Sequence, residues 1–226
     1  MHVILLNLQT MNRTDIAIYG AGGFGREIAC LLRRINEVKQ TWNLIGFFDD
    51  GVKKGEAVSR YGEVLGGIDE LNSWSEDLNL VIAIGIGAIR KKLSESIVNN
   101  KINFPNIIAP SVVCIDIESF NIGIGNIIAG YSIFSCDNSM GNFNTLNGSV
   151  VFGHDVSIGD FNTIMPAVRL SGNVNVGDLN FFGISSIVIQ SINIGNNVRI
   201  GAGSVIMRKT KDNFLYIGNP ATIVKY

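Results

Sequence analysis

From residue 122 onward every sixth residue is apolar: Ile122, Ile128, Phe134, Met140, Leu146, Phe152, Ile158, Ile164, Leu170, Val176, Phe182, Val188, Ile194, Ile200 and Ile206. In a chain that is 46% hydrophobic, such a run in one frame arises by chance about once in 10⁵ tries. The next position is commonly glycine, as at Gly123, Gly141, Gly153, Gly159, Gly177, Gly183, Gly195 and Gly201, which predicts a backbone bend at that phase of each repeat. Asn126, Asn144, Asn162 and Asn180 recur at every third repeat. Three sixes to a turn predict a parallel β-helix of triangular section, with coils stacked at about 4.8 Å and residues three repeats apart as neighbours. The asparagines then form a ladder of stacked amides.

Between Asp15 and about Pro105 the pattern is different. "DIAIYG" reads as a buried strand, "GREIACLLRRINEV" as an amphipathic helix and "LIGFFDD" as a second strand. "NLVIAIG" and "AIRKKLSESIVNN" add a third strand and another helix. Strand and helix in alternation predict a small parallel sheet with crossover helices. The chain thus divides into an α/β domain over residues 1–107, resembling half of a Rossmann fold, and an all-β domain with a C-terminal tail over residues 108–226.

Composition narrows the function. The formal net charge is −1 and no Lys/Arg-rich run occurs, so neither nucleic acid nor an anionic membrane is an expected partner. Cys30, Cys114 and Cys136 are odd in number, widely spaced and without a CxxC, which predicts no disulfide framework and no thiolate metal site, and fits a reducing cytoplasm. The opening "MHVILLNLQTMNRT" has four consecutive apolar residues, too few for a signal sequence or a spanning helix, and Met11 is an alternative start.

Two places carry candidate chemistry. Gly20, Gly22 and Gly25 fit GxGxxG between a strand and a helix, where helix N-terminal amides can hold a pyrophosphate. A nicotinamide oxidoreductase is one reading of that loop, but the acidic pair Asp49 and Asp50 lies later than the usual spacing and the domain has room for only half a dinucleotide fold. The second place is His154, the only histidine of the repeat half. It falls two places after the inward Phe152, a phase that leads toward a corner instead of the apolar interior, and an imidazole there can accept a proton near neutral pH. One histidine in the array argues against a zinc enzyme, which needs several.

The chain resembles the hexapeptide-repeat acyltransferases, in particular the branch of sialic acid O-acetyltransferases and UDP-4-amino-sugar N-acetyltransferases. The likeness rests on "YGAGGFGREIA", "FFDD", "VIAIGIGAIRKKL", the repeat array, "LNGSVVFGHDVSIGD" and "YIGNPATIVK". It implies a left-handed β-helix and a homotrimer with acetyl-CoA bound between neighbouring helices. It assigns His154 as general base, Asp155 as the acid that raises its basicity, and Asn147 as a polar contact for the reacting groups. Asp155 reaches His154 only if the chain turns a corner between them, because adjacent strand side chains diverge. Gly172, one full coil after His154, falls in the same column, where its amide can meet the thioester oxygen.

The same matching places Ile184 and Ala202 along the acetyl-CoA groove. Thr163 stands in the cofactor set where relatives often carry a second histidine. Arg208, Lys209, Lys211 and Lys225 are available to CoA phosphates. On the nucleotide-sugar side it places Gly22, Gly23 and Phe24 at the phosphates or sugar, Asp49 and Asp50 toward the uridine, and Gly85 at the following strand end, Phe24 replacing a histidine of some relatives. The expected activity is N-acetylation of a UDP-amino sugar, without a metal, with O-acetylation of sialic acid or another sugar as the alternative. A non-catalytic nucleotide-sugar-binding scaffold is the more distant one.

Overall fold

The computed structural model describes residues 13–224; His2, Met11, the apolar opening run and Lys225 lie outside the described residues. The N-terminal part runs β1 (Thr14–Tyr19), α1 (Gly23–Val38), β2 (Trp42–Phe48), β3 (Val64–Gly66), α2 (Ile68–Asn72), β4 (Leu78–Ile82), α3 (Gly87–Ser96) and β5 (Ile102–Asn103). These five strands form one parallel sheet in the order β3-β2-β1-β4-β5. The three strands and two long helices read from the sequence are present. β3, α2 and β5 were not legible because such short stretches cannot show a period.

The strand order reverses between β1 and β4, which opens a crevice at their carboxyl ends, the position where doubly wound sheets bind ligands. Helix α1 buries Gly25, Ile28, Ala29 and Leu32, a stripe at helical spacing against the sheet. Gly25 is obligatory there: a Cβ would lie 1.9 Å from the Gly20 carbonyl oxygen.

In the second part all fifteen apolar positions are the second residues of very short strands, from Asn121–Ile122 to Val205–Ile206. Strands one coil apart pair in parallel, as in Phe134↔Phe152 and Phe152↔Leu170. They stack into three faces. The first begins at Ile107–Ile108 and includes Thr145–Leu146 and Thr163–Ile164; the second includes Val151–Phe152 and Arg169–Leu170; the third includes Ser157–Ile158. Ile107–Ile108 pairs with Ile127–Ile128, so the first rung straddles the boundary drawn at 107/108.

Each repeat points two side chains inward, the second lying two places before the first: Val150, Val156, Val168, Val174 and Val198 are fully buried. At one corner this second position holds the asparagine ladder. The Oδ1 of Asn126, Asn144, Asn162 and Asn180 accepts the backbone N–H of the equivalent residue in the next coil, at 2.8, 2.8, 2.9 and 2.8 Å. Each of the first three also accepts the Nδ2 of the next asparagine, at 3.0–3.1 Å.

The glycine expectation needs correction. The bend falls three places after the inward position, where Tyr131, Asp137, Phe143, Ser149, Asp155, Phe161, Ala167, Asn173, Leu179, Ser185, Ser191 and Asn197 all have φ between 51 and 63°. The repeated glycines serve the stacking of coils. A Cβ on Gly141 would lie 2.1 Å from Asp160 Oδ1, one on Gly159 2.0 Å from Asp178 Oδ1, and one on Gly153 2.7 Å from the Gly172 nitrogen. Fixed-phase glycine here records the approach of the next layer of backbone, which holds the left-handed corners in place.

The N-terminal domain packs on the first face and the corner that precedes it. Phe143 and Phe161 stack at 5.3 Å, Phe104 meets Phe143 edge-on at 5.1 Å, and all three join the apolar cluster of Tyr19, Phe48 and Leu80. At the centre of this junction Arg90 is 1% exposed. Its guanidinium donates to the carbonyls of Ile84 (2.5 Å), Phe143 (2.7 Å), Asn162 (3.0 Å) and Phe161 (3.1 Å) and to Thr163 Oγ1 (3.2 Å).

Candidate functional site

His154 lies on the corner after the second face, and the corner turns because Asp155 has φ 56°. The turn brings the two adjacent side chains together: His154 Nδ1 is 2.6 Å from Asp155 Oδ2. A carboxylate only accepts, so in the neutral imidazole this contact puts the proton on Nδ1 and leaves Nε2 its lone pair. Both side chains are more than half exposed, so the imidazole is outside the apolar prism.

The ring lies over the next coil. A Cβ at Gly172 would be 2.5 Å from His154 Nε2 and 2.6 Å from Cε1, so the imidazole occupies the space a side chain there would fill. The His154 carbonyl accepts from Asn173 N–H at 2.8 Å. Among the described residues the Gly172 amide has no acceptor, and it belongs to the residue that the imidazole overlies. A proton acceptor and an unengaged N–H donor side by side are the two groups that attack on a thioester requires.

Asn147, Ile184 and Ala202 occupy the other edge of the second face, on the corner between the first face and the second. Within one chain the structure therefore does not bring them to His154 and Gly172. Ile184 is 49% exposed and Ala202 is exposed. Asn147 is half-buried, its Nδ2 donating to the Ile164 carbonyl at 3.4 Å. Thr163 is a correction. It is buried beneath the N-terminal domain, where its hydroxyl donates to the Gly85 carbonyl at 2.8 Å and accepts from Arg90, so it belongs to the domain junction and not to a cofactor groove.

In the N-terminal domain a cleft of ≈ 290 Å³ is lined by Tyr19, Asp49, Asp50, Gly51, Ile84, Ile89, Lys92, Leu93 and Ser96, at the strand-order reversal. Asp49 Oδ2 accepts from Ala21 N–H and its Oδ1 from Gly51 N–H, both at 2.8 Å. Asp50 Oδ1 accepts from Ile68 N–H at 2.8 Å, and its Oδ2 takes the Tyr19 hydroxyl at 2.6 Å. Burial first, and then the hydrogen bond to Asp50, push the Tyr19 hydroxyl far above its ordinary pKa, so it stays a donor. Carboxylates, one lysine and an apolar wall of Ile84, Ile89 and Leu93 suit a flat polar ligand carrying N–H and O–H groups.

The other expected substrate residues lie outside this lining. Gly22 and Gly85 are exposed, with nothing within 4 Å of a built Cβ, and Gly23 is exposed as well. Phe24 corrects its expectation in part, because it packs against the cluster of Ile16, Ile28 and Leu32. Tyr19, Lys92 and Arg90 were missed. In "GAIRKKLSES" Arg90 reads as one more exposed helix cation, since its burial comes from another domain. Tyr19 alone had a signal, an aromatic hydroxyl directly before the glycine turn.

Among the described residues no helix is long and apolar enough to cross a membrane and no group of three metal-ligating side chains converges. Residues 15–97 match the family model of the PglD N-terminal domain. No curated protein sequence matches the chain. Among solved structures, the acetyltransferase domain of PglB from Neisseria gonorrhoeae FA1090, in complex with acetyl coenzyme A, superposes with a TM-score of 0.84 at 26% identity, covering 94% of this chain and 100% of that one. Perosamine N-acetyltransferase from Caulobacter crescentus, as a mutant in complex with CoA and GDP-perosamine, matches with a TM-score of 0.80 at 25% identity over 94% and 97%. WeeI from Acinetobacter baumannii AYE matches with a TM-score of 0.82 at 25% identity over 93% and 100%. A glycine-turned parallel sheet, a repeat helix with an exposed His–Asp corner and these end-to-end likenesses make the chain similar to the hexapeptide-repeat β-helix sugar acetyltransferases, with a match to the PglD N-terminal domain ahead of the helix.

Proposed function

We propose that this protein transfers an acetyl group from acetyl-CoA to the amino group of a nucleotide-linked sugar. The observation that carries the reading is the exposed imidazole of His154, oriented by Asp155 and resting on the side-chain-free Gly172. His154 Nε2 takes a proton from the sugar amine as its nitrogen attacks the thioester carbonyl. The Gly172 N–H donates to the oxygen that becomes negative. As the carbon–nitrogen bond is completed the carbon–sulfur bond breaks, and His154 returns the proton to the leaving thiolate. Asp155 holds the imidazole in the tautomer that starts the cycle.

The nucleotide portion fits the cleft between Tyr19 and Lys92, in line with the GDP-perosamine bound by the Caulobacter enzyme. Arg208 stands two coils beyond Gly172 in the same column, about 10 Å away at the usual rung spacing, and offers a cation to a CoA phosphate.

The working unit is a homotrimer. The second face turns apolar side chains outward on all its strands but one, with Val113 50%, Ile133 38% and Ile187 37% exposed and Arg169 the exception, while the equivalent positions on the third face are Asn121, Ser139, Ser157, Asn175 and Asn193. Three copies packed through second faces bring the Asn147, Ile184 and Ala202 edge of one beside the His154 and Gly172 edge of the next, forming the acetyl-CoA groove between them. Free thiols at Cys30, Cys114 and Cys136 suit a reducing cytoplasm.

Thiol release from acetyl-CoA, measured against nucleotide amino sugars, free amino sugars and sialic acid with His154→Ala as control, tests the reading. Turnover with a nucleotide amino sugar that collapses in the variant is expected. Turnover with sialic acid alone would shift the assignment to O-acetylation, and full activity of His154→Ala would remove the base.

A further inference from the structure

The interior column behind the His154 corner is apolar except at one place. Its members are Phe120, Asn138, Val156, Val174 and Ile192, one per coil. Asn138 is 1% exposed and, unlike the four asparagines of the ladder, has no amide above or below it. Its Oδ1 has no hydrogen-bond partner, a costly state for a buried amide. A valine, as at 156 and 174, fills the same column without that cost.

The Asn138 Nδ2 reaches a glycine carbonyl of the next coil, as those of Asn126 and Asn144 do, and here that contact frames His154. The Nδ2 donates to the carbonyl of Gly153, the residue before the histidine, at 2.8 Å, and to the carbonyl of Cys136 at 3.3 Å. The Cys136 carbonyl in turn accepts the N–H of Asp155, the residue after the histidine, at 3.0 Å. Both peptide flanks of His154 are thereby tied to the segment 136–138, and one side-chain nitrogen links the two ties. The left-handed Asp155, whose carboxylate must meet Nδ1, is held by the same frame.

We infer that Asn138 is a positioning residue for acetyl transfer: its side-chain amide fixes the corner that aims the His154 imidazole across Gly172. Rigid support behind a reacting group matters because displacements of about 1 Å cost on the order of 10²-fold in rate. The inference rests on His154 being the base.

The test compares Asn138→Val, which fills the column without a donor, and Asn138→Ser, with a shorter donor, each alone and combined with His154→Ala. The expected result is a fall of about tenfold or more in kcat with the KM for acetyl-CoA unchanged, a melting temperature for Asn138→Val near that of the parent because relief of the unpaired Oδ1 offsets the donor lost to the Gly153 carbonyl, and no further loss when either variant is added to His154→Ala. Unchanged kcat in both variants overturns the inference, as does a loss that multiplies with that of His154→Ala, since the amide then acts independently of the base. If Asn138→Val does not fold, Asn138→Ser alone decides by the same criteria. Should His154→Ala be fully active, it is the base assignment that fails, whatever the Asn138 variants do.

Discussion

Replacing Arg90 with methionine keeps most of the side chain's volume and removes all five of its hydrogen bonds. The Asn162 carbonyl retains the Thr145 N–H as donor, at 2.9 Å. The carbonyls of Ile84, Phe143 and Phe161 have no other donor among the described residues. Each buried carbonyl left unpaired costs about 1–3 kcal/mol. Removing the guanidinium also removes its own desolvation, so the low end of the sum applies, about 3–4 kcal/mol. At about 2–4 °C per kcal/mol for a chain of this size, the melting temperature should fall by roughly 6–16 °C, with Arg90→Lys in between because one ammonium cannot span the same acceptors. Melting by circular dichroism, at matched protein concentration because an oligomer's melting depends on it, measures this. Ile84 also lines the cleft, so the KM for the nucleotide sugar should rise while that for acetyl-CoA stays put. Burial lowers the Arg90 pKa to about 10, below its value in the unfolded chain. Its share of the stability therefore changes only as pH passes through about 10 and above, and the deficit of the methionine variant should be constant between about pH 6 and pH 8.5. A melting temperature within about 2 °C of the parent for Arg90→Met would refute the junction as a source of stability.

Gly172→Ala sets a methyl group 2.5 Å from His154 Nε2 and displaces the ring; kcat should fall about 10–100-fold, while the melting temperature of this exposed corner moves little. Gly159→Ala does the reverse. Its Cβ would lie 2.0 Å from Asp178 Oδ1 and 3.1 Å from the Gly177 carbonyl, so about 1–3 kcal/mol of stability should be lost, measured by denaturant titration, with kcat of the folded fraction preserved. Ile187→Glu puts a carboxylate on the second face, where Ile187 is 37% exposed; sedimentation should show the proposed trimer of the parent replaced by folded monomers without transferase activity, and an unaltered mass would overturn that face as the contact.

The sequence by itself determined the solenoid. Its signal is periodic, and a fault anywhere along the array would break it, so the frame from Ile122 to Ile206, the pairing of residues one coil apart and the Asn126–Asn180 ladder could all be read before any coordinate. The exposure of His154 followed from the same phase, because an inward residue at 152 leaves 154 at the turn. What the repeated glycines do between coils was not legible. Glycine at a fixed phase was read as a bend, whereas the bend sits at Asp155 and its equivalents, and glycine marks the approach of backbone from the next coil. The tertiary structure alone also decided Thr163 and Arg90, whose surroundings come from the other domain. It alone separated Asn147 from His154 by the width of a face. Local pattern records what a residue needs from its own repeat; contacts between layers, domains and copies depend on distances that no window along the chain contains.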